Sequence, residues 1–232
     1  MADATSTSGF HHLAVSTKDM KAQLEFFTQV LGMPLVGIFD MHGVEGAIHA
    51  FVQLDATDGR CLSFTQVPGN EQIEPVVGVT HAGNGAGTSA PGTMQHLAFA
   101  VADRDALLAL QDRLRSNGVV VLGPIDHGLC ESIYFAGPEG LALEAAWSSE
   151  PIDERRWVDP SACERVGISV EEMAAMVAPQ PFDRPTDRVP QPGIDPAKPH
   201  LVYPPDEYAK MVSLPDHVIT KAASVPDPPV AV

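Results

Sequence analysis

The chain has 232 residues, of which 44% are apolar and 19% are charged. This balance supports a folded core without disulfide or metal crosslinks and excludes a wholly disordered or fibrous chain. Thirty acidic residues stand against fourteen basic ones, a formal charge of -16, which excludes nucleic acid and an anionic membrane surface as partners.

The amino-terminal segment and the cysteines carry no sign of export. Residues Met1 to Gly9 lack the basic and apolar regions of a signal peptide, and no run of about 18 apolar residues could cross a membrane. Cys61, Cys130 and Cys163 are odd in number and far apart, so they predict neither a disulfide framework nor a thiolate zinc site. We therefore expect a soluble, cytoplasmic protein whose chemistry depends on histidines and carboxylates.

An internal repeat organises the first two thirds of the chain. The segment HLAV begins at His12 and is followed by Asp19, and the segment HLAF begins at His96 and is followed at the same spacing by Asp103, an offset of 84 residues. After each aspartate, apolar residues recur with helical spacing until a glycine. Short β-rich runs follow each helix, at 35–39, 47–54 and 61–67 in the first copy and at 119–125, 132–135 and 141–147 in the second.

Each copy reads as strand, helix, strand, strand, strand, which predicts an α+β fold. We expect two βαβββ modules, residues 9–67 and 94–147, packed side by side as a cupped mixed sheet around a shared hollow. The link between them, residues 68–93, is rich in glycine and predicts a long loop. Two interpretations of this loop stay open, a lid over a binding site and simple disorder.

Residues 148–232 form a proline-rich extension that contains 15 of the 21 prolines. An Asp-Pro pair at 159–160, and Ser169 followed by Glu172, are helix-start signals, so short helices are predicted there. Beyond residue 179 we expect an extended segment that wraps its own domain or a second subunit. This segment favours a homodimer.

Three side chains are candidates for a metal centre. His12 and His96 open equivalent strands beside alanines, and Glu144 interrupts an apolar strand, where an unpaired buried carboxylate would be costly. Two imidazoles and one carboxylate suit non-haem Fe(II), with Mn(II) or Zn(II) as alternatives. We therefore predict that these three residues bind one divalent metal in the hollow. The alternative is that the histidines are hydrogen-bonded strand residues and that Glu144 lies at a solvated edge; His11, whose counterpart is Gln95, is expected to be structural.

The paired modules, with a ligand-type histidine opening each copy and a glutamate on the last strand, resemble the vicinal oxygen chelate superfamily. This superfamily includes glyoxalases, epimerases, fosfomycin-resistance proteins and extradiol dioxygenases, and the resemblance covers residues 9–147. Glyoxalase-like members have a fourth ligand on the last strand of the first copy, where this chain has Ser63. Because serine is a poor ligand, the resemblance favours a three-ligand site.

A second motif is similar to the signature of the single-domain extradiol dioxygenases. It runs from Ile125 to Glu144 and includes His127 and Tyr134, and it departs from the family pattern at Gly137. By this resemblance, His127 and Tyr134 hydrogen-bond the substrate or bound oxygen.

The resemblance also implies an acid–base histidine shortly before the second metal ligand. His81, in the link, is the best candidate, with His49 and His42 as alternatives. The function implied is an Fe(II)-dependent dioxygenase of aromatic catabolism that takes a small aromatic diol and dioxygen as substrates. The alternatives are a Mn(II)- or Zn(II)-dependent lyase, isomerase or thiol transferase of the same superfamily and a non-catalytic protein that binds an aromatic ligand.

Overall fold

The computed structural model describes residue 7 and residues 9–55, 57 and 59–231. Two compact units are present, one containing residues 9–179 and the other containing residues 180–231. All of the predicted site residues lie in the first unit. In the described part of the chain, no helix is both long enough and apolar enough to span a membrane.

The first unit contains two βαβββ modules, which confirms the predicted α+β fold class. The strands are β1 His12–Ser16, β2 Leu35–Asp40, β3 Ile48–Gln53 and β4 Cys61–Gln66 in module 1, and β5 Leu97–Ala100, β6 Val121–Asp126, β7 Glu131–Ala136 and β8 Ala142–Trp147 in module 2. Each module forms its own four-stranded mixed sheet, in the order β1-β4-β3-β2 and β5-β8-β7-β6. The first and last strands of each module pair in parallel, and the other pairs are antiparallel.

The repeated aspartates begin the two module helices. Asp19 accepts a hydrogen bond from the backbone N–H of Ala22 at 3.0 Å, and Asp103 accepts one from Ala106 at 2.8 Å. Both aspartates are N-caps, so the spacing from histidine to aspartate sets the length of chain between the first strand and its helix. The helices are α1 Met20–Glu25, which continues as the π-helical segment Phe26–Val30, and α2 Arg104–Ser116.

One hydrophobic core includes residues of both modules and both helices. Phe27 is fully buried, and its ring centroid lies 4.9 Å from that of Phe64 in module 1 and 6.3 Å from that of Phe99 in module 2. Removing a buried phenylalanine side chain costs about 3–5 kcal/mol. Because side chains alternate along a strand, every second strand residue faces away from this core.

Polar contacts also join the modules. Arg113 donates from Nε to the carbonyl oxygen of Val30 at 2.6 Å and from Nη2 to that of Gln29 at 3.0 Å. These carbonyls end the π-helical segment, where a cation is favourable. Gly32 has a φ of +81°, a conformation that L side chains rarely adopt, and a side chain there would displace the guanidinium group, so glycine is favoured at this helix end.

Glu139, in the turn between β7 and β8, fastens the start of α1 to module 2. Its carboxylate accepts hydrogen bonds from the backbone N–H of Lys18 and from Nε2 of Gln23, each at 2.9 Å. Burial raises the pKa of Glu139, but hydrogen bonds from Thr17, Gln23 and the adjacent backbone outweigh it and hold the pKa below its ordinary value of 4.5. The ionised form is therefore the one that stabilises this contact.

The glycine-rich link has a defined conformation. It contains a 3₁₀ turn, Asn70–Gln72, and an isolated bridge between Val77 and His81, and Ala82 is buried. A side chain at Gly87 would collide with the carbonyl oxygen of Ala82. The tight turn that follows Ala82 therefore needs glycine at this position.

The helix-start signals of the extension are confirmed. Asp159 accepts a hydrogen bond from the backbone N–H of Ser161 at 2.8 Å, and Ser169 and Glu172 form both bonds of a capping box. The helices in the first unit are α3 Glu154–Trp157, α4 Pro160–Arg165 and α5 Val170–Val177.

The second unit contains two helices, α6 Pro205–Ser213 and α7 Asp216–Ala223. The expectation of an extended chain beyond residue 179 is therefore wrong over these residues. Prolines lie at or just before the first helical residue, where no backbone N–H is needed, so they flank the helices without interrupting them. None of the described residues 180–231 is buried.

Candidate metal centre

Glu144 lies in the middle of β8, on the side of the sheet that faces away from the core. Its neighbours Leu143 and Ala145 are core residues. Only 6% of Glu144 is exposed, and its Oε2 lies 2.9 Å from Nε2 of His96. A buried carboxylate needs a partner, and His96 supplies it, so Glu144 is not a solvated edge residue.

Strand register shows which residue of module 1 occupies the position of Glu144. Ala98 of β5 pairs with Glu144, and the equivalent Ala14 of β1 pairs with Ser63. Ser63 is fully buried, and its hydroxyl donates to the carbonyl oxygen of Leu13 at 3.2 Å. Module 1 therefore has no carboxylate where module 2 has one.

His12 also lies on the side of its sheet that faces away from the core, because it alternates with core-packed residues of β1. Its ring centroid lies 5.7 Å from that of Phe51, and its Nδ1 lies 3.0 Å from Nδ1 of His11. Among the described residues, no three His, Cys, Asp or Glu side chains are grouped so that they could hold a metal ion. The structure brings His96 to Glu144 but does not bring His12 to that pair within one chain.

The shared core accounts for this separation. His12 and the His96–Glu144 pair lie on the outward sides of two sheets whose other sides contribute to one core. We call these outward sides the ligand face of module 1 and the ligand face of module 2. A single chain therefore presents the predicted ligand set as two separate parts, which differs from the expected meeting of both histidines in one hollow.

Tyr134 and His127 lie beside the His96–Glu144 pair. Tyr134 pairs with Glu144 across β7 and β8, and its hydroxyl lies 2.8 Å from Nε2 of His127. Burial, and then the charge of the adjacent Glu144, raise the pKa of Tyr134 above its ordinary value of 10.0. The phenol is therefore protonated at neutral pH and able to donate a hydrogen bond.

His81 lies elsewhere in the first unit. It lines a cavity of about 250 Å³ together with Lys18 and Glu139, and its Nδ1 lies 2.9 Å from Oγ1 of Thr80. His96 and Glu144 do not line this cavity. The acid–base role of His81 stays a prediction.

The ligand face of module 1 carries a cluster of aromatic rings that sequence reasoning missed. The centroid of Phe51 lies 4.3 Å from that of His49 and 6.0 Å from that of Phe39, which also stacks on His42. We call these four residues the aromatic cluster. Burial, and then the nearby His12, lower the pKa of His49, so its ring is neutral at pH 7.

The position of His49 in this cluster leaves one polar atom without a partner. Its Nε2 is buried and has no hydrogen-bond partner among the residues that the structure describes. The sequence suggested His42 and His49 only as alternative acid–base groups. The spacing of His49 and Phe51, two residues apart in a strand, is the signal that could have placed both rings on one face.

The fold and the ligand faces define a class of protein, one built from paired βαβββ modules with imidazole and carboxylate donors on the outward sides of the sheets. The model of the Glyoxalase/Bleomycin resistance protein/Dioxygenase superfamily matches residues 9–145, more than half of the chain. The chain belongs to this superfamily, which confirms the predicted resemblance.

Individual relatives are distant. A lactoylglutathione lyase from Pseudomonas aeruginosa is 26% identical over 155 residues, which cover 60% of this chain and 82% of the relative. The solved glyoxylase/bleomycin resistance protein/dioxygenase domain from Frankia sp. EAN1pec is 17% identical, with a TM-score of 0.48, and covers 62% of this chain and 99% of its own. TnmS3, an antibiotic binding protein from Streptomyces sp. CB03234, is 22% identical with a TM-score of 0.42, and covers 62% of this chain and 98% of its own.

Proposed function

We propose that this chain is an Fe(II)-dependent dioxygenase that cleaves the ring of a catechol-type diol beside its two hydroxyl groups. One observation carries the proposal. On the ligand face of module 2, His96 contacts Glu144, and Tyr134 lies beside Glu144 with its hydroxyl on His127. Two metal donors are thus adjacent to two groups that can hold and move protons.

The donor set fits a divalent metal. His96 and Glu144 are already in contact, and a cation would neutralise the charge of the buried carboxylate. With His12 as the proposed third ligand, the set is the one that suits Fe(II), and Mn(II) or Zn(II) are the alternatives. When bound, the metal supplies open coordination positions to the diol and to dioxygen and lowers the pKa of a bound hydroxyl group.

We propose that His12 comes from a second copy of the chain. In a twofold dimer every contact occurs twice, so the ligand face of module 1 of each copy would meet the ligand face of module 2 of the other and form two equal centres. Exposed apolar side chains on the outer strands support such an interface, since they gain from burial. They include Leu122 on β6, which pairs with Tyr134 of the ligand face.

In this centre, Tyr134 and His127 would act on the oxygens of the substrate. The protonated hydroxyl of Tyr134 donates a hydrogen bond to an oxygen that gains negative charge. His127 is in contact with the same hydroxyl and can accept or return its proton. His81 is the proposed additional acid–base group.

The aromatic cluster favours a planar, apolar substrate. Stacking with Phe39 and Phe51 would hold an aromatic ring. Within the described residues, none of the eight strands contains Lys or Arg. The strands therefore offer no cation to a substrate with several carboxylates, such as a glutathione adduct.

The test combines metal analysis with oxygen uptake. Anaerobically purified protein is assayed for iron, manganese and zinc beside the His12→Ala and Glu144→Ala variants, and the iron-loaded protein is given a panel of catechols. We expect iron in the wild type alone and one dioxygen consumed for each ring opened. Turnover of a substrate without oxygen consumption would contradict the proposal.

A second function is favoured by the similarity to lactoylglutathione lyase. A Mn(II)- or Zn(II)-dependent lyase, isomerase or thiol transferase would use the same three ligands and consume no oxygen. Ser63 argues against a glyoxalase reaction, because it stands where glyoxalase-like members have a fourth ligand. Metal-dependent turnover of a thiol adduct under argon would decide for this second function.

A further inference from the structure

We propose that Gln95 is a positioning residue that holds His96 for metal binding and fixes the link against the site. The inference rests on the proposed function, because it assigns His96 as a metal ligand. It concerns a side chain that directly precedes the ligand and that the sequence marks only as the counterpart of His11.

Both ends of the Gln95 side-chain amide form hydrogen bonds. Its Nε2 donates to the carbonyl oxygen of Asn84 at 3.0 Å and to that of Gly87 at 3.3 Å. Its Oε1 is hydrogen-bonded to Nδ1 of His96. One side chain therefore bridges a turn of the link and the imidazole of the ligand.

The chemistry of these partners fixes the orientation of each group. A carbonyl oxygen can only accept, so the NH₂ end of Gln95 must face the link and its oxygen must face His96. Nδ1 of His96 must then carry a proton and donate it, which leaves Nε2 directed at Glu144. A metal-binding histidine is commonly held in this way, by a hydrogen bond from its other ring nitrogen.

Module 1 has the same arrangement with a different residue. His11, at the position equivalent to Gln95, contacts Nδ1 of His12 at 3.0 Å. In both modules, the residue before the proposed metal-binding histidine is hydrogen-bonded to Nδ1 of that histidine. Its Nε2 is left for another partner. His11 thus has the contact that its counterpart has, although the sequence interpretation gave it only a structural role.

The turn of the link that Gln95 holds lies next to Tyr134. Asn84 and Gly87 enclose Gly85, and a side chain at Gly85 would lie 3.4 Å from Cε1 of the Tyr134 ring. The two hydrogen bonds from Gln95 therefore hold this turn against the ring of a proposed catalytic residue. Losing them would release the turn as well as the imidazole.

Two substitutions separate the contact of Gln95 with His96 from its contacts with the link. Gln95→Leu removes the acceptor and both donors, whereas Gln95→Glu keeps an acceptor for Nδ1 and removes only the donors to the link. The metal-free full-length protein is titrated with Co(II), read by its visible absorption and by chelator competition, and amide hydrogen exchange is followed over residues 84–88. Thermal unfolding of each variant checks that it is folded.

We expect Gln95→Leu to weaken Co(II) binding by about 10–100-fold, the usual effect of removing a partner of a metal ligand. Gln95→Glu should bind Co(II) at least as tightly as the wild type, because its carboxylate accepts from Nδ1. Exchange over 84–88 should be faster in both variants. Equal Co(II) affinity in Gln95→Leu and the wild type, or an equal loss in both variants, would overturn the positioning role.

A failure of the proposed function gives a different result. If the wild type binds no Co(II), the metal centre is wrong, and the Nδ1–H proton of His96 in the metal-free protein then tests Gln95 alone. A slowly exchanging proton in the wild type that is lost in Gln95→Leu supports the positioning role. A proton that exchanges equally fast in both proteins overturns it.

Discussion

The two modules share a scaffold, and one row of side chains on their ligand faces differs in its chemistry. In module 1 this row is Ala14, Ser63 and Phe51, and in module 2 it is Ala98, Glu144 and Tyr134. Both modules keep a histidine at or directly before the first residue of the first strand and an aspartate that begins the helix.

This difference shows which chemical groups distinguish module 2 from module 1. The carboxylate and the phenol of module 2 correspond in module 1 to a hydroxyl bonded to the backbone and to a plain phenyl ring. In the proposed centre, module 2 would therefore supply charge and proton transfer, and module 1 would supply one imidazole and an apolar surface. Exchanging residues between the two rows is the direct way to test this division.

The largest effect is expected for Glu144→Ser, which gives module 2 the residue of module 1. Loss of a charged ligand should reduce metal affinity by more than the roughly 10–100-fold that an outer partner contributes, and the purified variant should contain no metal by elemental analysis. Ser63→Ala is the matched control and should keep its metal. Metal retained in Glu144→Ser would remove Glu144 from the ligand set.

Tyr134→Phe places the phenyl ring of module 1 at the equivalent position of module 2. This variant should retain metal and lose turnover. Removing one hydrogen-bond donor to a developing negative charge typically lowers kcat by about 10²–10³-fold. Steady-state oxygen uptake measures this loss, and iron content per chain shows whether binding is intact. An unchanged kcat would mean that the Tyr134–His127 pair has no part in the reaction.

Phe51→Ala should weaken substrate binding while chemistry continues. An aromatic pair contributes about 0.5–1.5 kcal/mol beyond its buried area, so KM for a catechol should rise by roughly two- to twelvefold. Ile38→Ala, an exposed residue of β2, is the control. A KM that responds equally to both substitutions would show that the aromatic cluster is not the binding surface.

The smallest effect is expected for Glu139→Gln. Glu139 joins the two modules and does not lie on the ligand faces. Loss of the ionised acceptor should lower the free energy of unfolding by about 1 kcal/mol at pH 7. Because the pKa of Glu139 is lower in the folded state than its ordinary 4.5, this stabilisation is present above that value and disappears as the pH falls through the folded-state pKa. Urea unfolding of both proteins at pH 7 and at about pH 3 measures the difference, and a difference that grows in acid would contradict it.

The scaffold could be predicted from the sequence because its helix and strand signals lie in short stretches of the chain. The spacing from each histidine to its N-cap aspartate and the helical periodicity after it depend on residues close together in the chain, and both appear in the structure. Alignment of the last strands also identified Ser63 as the counterpart of Glu144, which the register shows.

The remaining features depend on contacts that periodicity does not contain. Strand alternation shows that His12 faces away from the core, but the packing of one module on the other is set by contacts such as Phe27 with Phe99. The bridge made by Gln95 depends on the path of the link. Helices α6 and α7 were not predicted, because a proline-rich composition favours an extended chain, whereas in the structure the prolines lie at the starts of these helices.

Mixing two inactive variants tests most directly whether the metal ligands come from two chains. His12→Ala and Glu144→Ala chains carrying different affinity tags are co-expressed, and the mixed dimer is isolated with both tags and analysed for metal. One of its two centres would have His12 from one chain and His96 with Glu144 from the other, so we predict half the metal content of the wild type and none in either parent. A mixed dimer without metal, beside a wild type that is fully loaded, would contradict the shared centre.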